Sequence, residues 1–155
     1  MWKNINDISE LENFMNMVCN FHDSCIKEIK YLSGSYVDEA LDMYPINDCR
    51  ILNMIIQRQF EDYPVIEMEF SGLKFLKLFP ANEKYTSEIY EATLMYKNGF
   101  IYWYDCGVLS DEELDRYEGA VICASRLRWR PLEGCLGQKI LCSLPQQSQK
   151  YDDGL

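Results

Sequence analysis

The chain has one histidine, His22, in the run Phe21-His22-Asp23-Ser24-Cys25. An imidazole titrates near neutrality and can act as a general base. A nearby carboxylate can orient it, and a cysteine thiolate is a nucleophile. His22, Asp23 and Cys25 are therefore the residues from which a small enzyme would be built. The pattern stops short of one. Adjacent residues in a strand point to opposite faces, so His22 and Asp23 need not meet. No Gly-x-Ser-x-Gly elbow offers a serine nucleophile, and nothing marks Cys25 as a thiol of lowered pKa. His22 falls between a helix signal and a strand signal, beside turn-favouring Asp23 and Ser24. It is expected to anchor that junction by hydrogen bonding.

A site built on several histidines is impossible with one. The seven cysteines (Cys19, Cys25, Cys49, Cys106, Cys123, Cys135 and Cys142) contain no Cys-x-x-Cys pair. No metal centre, disulfide framework or cofactor is expected. The opening residues, Met1 to Asp7, hold no apolar leader. No apolar run approaches the 18 or so residues that span a bilayer. The cytoplasm is the expected compartment, with the thiols reduced.

Recognition is the chemistry that remains. The net charge is −10, and residues 61–119 alone carry 13 acidic against 5 basic side chains. Nucleic acid and anionic membranes reward the opposite sign. A basic protein partner suits this surface. Glu67 and Glu69 alternate with apolar Ile66 and Met68, which sends the two carboxylates to the outer face. Asp111, Glu112 and Asp115 sit on a short helix, where negative charge in the first turn also steadies the helix itself. Trp103, in the aromatic run Phe100 to Tyr104, is a candidate interface anchor or a core residue. Arg126, Arg128 and Arg130 share one face of a strand. They can read an anion, but pairing across strands with Glu67 and Glu69 is the simpler role.

The elements that must carry these residues are legible in part. Ile8, Leu11, Met15 and Val18 recur at helical spacing, and Asp7 with Glu10 forms a capping-box pattern, so a helix is expected over 7–19. Strands are expected over 25–32, 50–60, 65–70, 73–79, 87–96, 100–105 and 120–130. Residues 36–49 are ambiguous. Ser71-Gly72 allows a bulge. Asn98-Gly99 between two strand-like runs marks a hairpin. Ser110 with Glu113 caps a helix over about 110–117. The absence of a strand–helix–strand rhythm argues against a doubly wound fold. The expected class is α+β: a mostly antiparallel sheet of five to seven strands with the N-terminal helix packed on one face. One globular domain is expected over 1–143, with a polar, disordered tail over 144–155.

The segments Phe21-His22-Asp23-Ser24-Cys25, Ser33-Gly34, Phe70-Ser71-Gly72-Leu73, Asn98-Gly99 with Tyr102-Trp103, and Leu127-Arg128-Trp129-Arg130 resemble a family of small bacterial proteins, mostly from Gram-positive species. The resemblance spans roughly residues 8–135 and carries no function with it. Size, acidity and layout are also similar, in a general way, to immunity proteins that neutralise secreted toxins. The expected function is a non-enzymatic binding protein, immunity-like or regulatory, that occludes a basic partner. The alternatives are a small enzyme using His22, Asp23 and Cys25, and a ligand-binding module with a pocket between sheet and helix.

Overall fold

A computed structural model describes residues 1–46, 49–84 and 86–138, without the side chain of Asp115. The expected tail over 144–155 and Cys142 lie outside the described residues.

Strand β1 (Lys3–Ile5) leads into helix α1 (Ile8–Met17). Asp7 caps the helix by accepting from the Glu10 amide at 2.8 Å. Glu10 reaches back one residue further than a capping box requires, to the amide and side chain of Asn6. Leu11, Phe14, Met15 and Val18 are buried, but Ile8, in the first turn, is 60% exposed. The helix stops earlier than its periodicity suggests. Cys19, Asn20 and Phe21 all take φ between 50° and 56°, a left-handed turn. Each such non-glycine residue costs about 1–2 kcal/mol. Complete burial of Phe21, whose ring meets Phe14 edge-on at 5.7 Å, offsets part of that cost.

The chain continues as β2 (Ser24–Leu32), a short arm of β3 (Tyr36–Val37) and β4 (Met43–Tyr44), then β5 (Ile51–Arg58) and β6 (Val65–Lys77). After β7 (Glu88–Ile89) comes the hairpin of β8 (Thr93–Lys97) and β9 (Phe100–Tyr104). Asn98 and Gly99 turn it with φ of 52° and 79°, the geometry of a type I′ turn. Helix α2 (Asp111–Arg116) carries the expected capping box between Ser110 and Glu113, and β10 (Val121–Pro131) closes the fold.

The fold is α+β. Seven strands run in the order β7-β2-β5-β6-β10-β9-β8, with every neighbouring pair antiparallel. β10 serves three partners. β6 pairs along its full length, β9 takes Val121 to Ala124 on the other edge, and β1 takes Leu127 to Trp129 further along. β1 thus completes an edge that β9 leaves open.

The strand parity read from the sequence holds in β5, β6 and β10. Leu52, Met54, Ile56, Ile66, Met68 and Phe70 are fully enclosed on one face. Helix α1 covers that face, with Phe14 4.8 Å from the Trp129 ring. Each such side chain contributes roughly 1.5–3 kcal/mol when buried. β6 holds the expected irregularity. Cys123 pairs with Phe75 and Ala124 with Leu73, leaving Lys74 as the extra residue. Gly72, at φ +64°, makes the bend, and a Cβ there would lie 2.8 Å from Ser125 Oγ.

Candidate interaction surface

The second face of the sheet is polar in its middle, and cross-strand pairing fills it. Register sets Arg128 opposite Glu69 and Arg130 opposite Glu67. Arg128 makes a two-point fork, Nε to Oε1 at 2.8 Å and Nη2 to Oε2 at 3.0 Å. Arg130 Nε donates to Glu67 Oε2 at 2.6 Å. Asn53, on β5, donates to Glu67 from the other side at 3.2 Å. The Trp2 ring lies over both guanidinium groups, at 4.5 and 4.4 Å. Arg128 and Arg130 are therefore the partners of the glutamates, while Arg126 lies opposite Ser71 and is exposed.

This corrects the outward placement of Glu67 and Glu69. Glu67 is only 4% exposed. Both carboxylates are committed to arginines, which leaves little charge to offer another molecule. Of the two readings of Trp103, core residue or interface anchor, the core one holds. It is fully enclosed on the helix-covered face and cannot touch a partner. Its indole Nε1 has no acceptor among the described residues. Glu112 is exposed, as expected. Asp111 is exposed too, but it pairs with Lys97 across from its helix. The side chain of Asp115 lies outside the description. The described acidic residues do not act together: Glu67 and Glu69 are paired on β6, while Asp111 and Glu112 are exposed on α2.

The Phe21 to Cys25 run behaves differently from a strand. Asp23 takes φ +52°, and this left-handed kink brings its carboxylate to His22 Nδ1 at 3.0 Å. The two meet because neither lies in the strand, which begins at Ser24. The His22 side chain is 57% exposed, so the pair sits at the surface. The junction is held by backbone instead. Gln59 donates to the Asp23 carbonyl at 3.0 Å, and Ala92 to the Asn20 carbonyl at 2.7 Å. Asp23, Ser24 and Cys25 line a shallow cleft with Gln57, Arg58 and Glu88, and His22 is not among its lining residues. His22 has its orienting carboxylate, but no hydrogen bond among the described residues joins it to Cys25. Among the described residues no three His, Cys, Asp or Glu side chains are placed to share a metal ion.

Arg58 was not singled out by sequence reasoning, although its parity continues that of Leu52, Met54 and Ile56. It is 4% exposed and lies 4.6 Å from the Phe60 ring. Nη1 donates to the carbonyls of Asp62 and Tyr63 at 2.9 and 3.0 Å, clipping the β5–β6 turn. Burial pushes its guanidinium down from the usual range.

The largest departure from expectation is the arm. Residues 36–44, ambiguous in the sequence, form a separate two-stranded sheet. Its loop closes on Asp38, whose Oδ1 accepts from the amides of Ala40 and Asp42, both at 3.0 Å. Tyr36 and Tyr44 stack at 4.7 Å. Ser35 Oγ ties the base by donating to the Pro45 carbonyl at 2.9 Å. This ordered backbone presents apolar side chains to solvent. Leu41 is 82%, Met43 69% and Ile46 93% exposed, and Tyr31, Leu32 and Val37 are exposed as well. The stretch from Tyr31 to Ile46 also holds Asp38, Glu39 and Asp42 and no basic residue. The signal was present as seven apolar residues between the breaks at Ser33-Gly34-Ser35 and Asn47, without the periodicity of a covered element.

No family model matches the chain, and neither curated proteins nor solved structures give a match. Among the described residues no helix is long and apolar enough to cross a membrane.

Proposed function

We propose that the protein is a non-enzymatic binding protein whose arm, Tyr31 to Ile46, docks onto a basic partner protein. The observation that carries this is the exposure of large apolar side chains on a hairpin whose own backbone is ordered. A two-stranded hairpin is marginal in water, and contiguous exposed apolar surface marks an interaction site. Charge selects the occupant. Asp38, Glu39 and Asp42 rim the patch and complement positive charge. A second copy of this chain would set the same acids against each other, within a protein of net charge −10. An immunity or regulatory role, in which the arm blocks the working surface of the partner, is the concrete form of this reading. A catalytic role for His22, Asp23 and Cys25 has less support, because no hydrogen bond links the imidazole to the thiol.

The test uses the full chain and the double variant Leu41→Asp/Met43→Asp. Both side chains are exposed, so the variant should fold. A partner recovered from the native host by the wild type should be basic. As a purified protein it should bind the double variant at least about a hundredfold more weakly, as expected for loss of central anchors. Equal binding by the folded variant, or an acidic partner, would refute the proposal.

A further inference from the structure

On the sheet face turned away from α1, where β6, β8, β9 and β10 lie together, α2 borders a cleft of about 560 Å³. Its floor is aromatic. Phe75, Tyr102 and Tyr104 line it, with the two tyrosine rings parallel within 7° and 6.1 Å apart, and Phe75 edge-on to Tyr102. Leu114 and Val121 add apolar wall. Two ammonium groups reach it from different strands, Lys77 on β6 and Lys97 on β8. Lys77 uses one donor on the Tyr117 carbonyl. Lys97 is held by Asp111, whose side chain is 81% exposed and sits in the first turn of α2.

From this arrangement we infer a second binding site, for a small aromatic anion, with its ring on the Tyr102–Tyr104 floor and its carboxylate or phosphate on Lys97 and Lys77. The volume fits a small ligand, for which clefts run roughly 300–1,000 Å³. Rings prefer offset or edge contacts with other rings, and the floor offers both. Asp111 occupies Lys97 as an internal carboxylate. It can swing into solvent because it is mostly exposed, so an incoming anion replaces a like group at the same ammonium. Burial raises the pKa of Tyr104 to about 12, and Tyr102 is also raised, by its bond to Cys123 and then by burial. Both hydroxyls therefore stay protonated at neutral pH. The site is separate from the arm and does not depend on the reading of the arm.

The experiment is amide-resolved NMR titration of the full chain with benzoate, phenyl phosphate, cyclohexanecarboxylate and inorganic phosphate. Benzoate or phenyl phosphate should shift the amides around Lys97, Tyr102 to Tyr104 and Asp111 to Leu114, saturating in the millimolar range. The tighter of the two identifies the head group. The non-aromatic and ring-free probes should bind more weakly. Lys97→Ala should weaken the aromatic probe about tenfold, the loss of one charge-assisted contact. Asp111→Asn should tighten it several-fold, because the internal competitor loses its charge. A lysine with a merely structural role would not produce that opposite pair of changes. Leu114→Trp, which fills the cleft without changing its charge, should abolish the shifts. Shifts that gather on the arm, or that are absent, or an affinity unmoved by both Lys97→Ala and Asp111→Asn in folded variants, would overturn the inference.

Discussion

Arg128 and Glu69 meet as a planar two-point fork across neighbouring strands, and their residue numbers differ by 59. The Glu69 side chain is 14% exposed and that of Arg128 41%, so the pair stands between a surface and a buried ion pair. Asn53 and Trp2 tie it to β5 and to the N-terminal segment. Removing one partner leaves a charge partly desolvated.

Glu69→Ala should therefore destabilise the protein by about 1–3 kcal/mol. A double-mutant cycle with Arg128→Ala should return a coupling of about 1 kcal/mol or more. Urea denaturation of the four proteins measures both. A coupling indistinguishable from zero would mean that the fork is ornamental to stability.

Gly72→Ala combines an unfavourable positive φ with a Cβ placed 3.0 Å from Ser125 Cβ and closer to its Oγ. The expected cost is about 1–3 kcal/mol. In a Ser125→Gly background the steric part disappears and the conformational part, about 1 kcal/mol, remains. Chemical denaturation of the single and double variants separates the two.

Burial, with Tyr102 and Cys123 close by, raises the pKa of Tyr104 to about 12 in the folded protein. The unfolded chain releases that proton near pH 10. The folded state then binds the extra proton, so the contribution of Tyr104 is fully present below about pH 10, falls as pH rises, and is lost by about pH 12. Tyr117 moves in the same direction, through burial and through its bond to Asp105. Denaturation midpoints should decline over this window, and Tyr104→Phe should decline less steeply. Identical slopes for the two proteins would remove Tyr104 as a cause.

His22→Ala should change stability by no more than about 1 kcal/mol, because the His22–Asp23 pair is exposed. The sequence suggested a larger loss, as for a buried hydrogen-bond partner. Thermal or urea unfolding distinguishes the two, and a cost of several kcal/mol would restore His22 as the anchor of the junction.

Association with a basic partner through the arm should be faster at low salt, and the effect should lie mainly in the association rate. Asp38 holds the loop together, so the informative reversals are Glu39→Lys and Asp42→Lys, both at exposed positions. Stopped-flow association at low and high ionic strength should show the wild type slowed by salt and the double reversal slow throughout. A rate indifferent to salt and to both reversals would leave the apolar residues to act alone.

How much could be read before the chain folded depends on the range of each cause. The Asp7 cap, the Ser110–Glu113 box, the Asn98-Gly99 turn and the alternation along β5, β6 and β10 were all legible. Each arises from contacts within a few residues and is dictated by side-chain type. The class followed from the same local signals: a helix, several alternating runs and no parallel crossover.

Tertiary structure decided what alternation alone leaves open. Parity placed Glu67 and Glu69 on the second face, but only the register against β10 delivered Arg130 and Arg128 to them and turned two apparent surface acids into half of a ladder. Parity likewise left Trp103 with either a core or an interface. Its complete burial came from joining the hydrophobic cluster that the sheet shares with α1, which its own strand does not encode. The left-handed turn at Cys19 to Phe21 is carried by residues that rarely adopt it, and it persists because Phe21 is pulled into the core. The arm had the weakest local signal of all, because what defines it is the absence of any cover. Exposure of that kind is a property of the folded whole and has no residue pattern of its own.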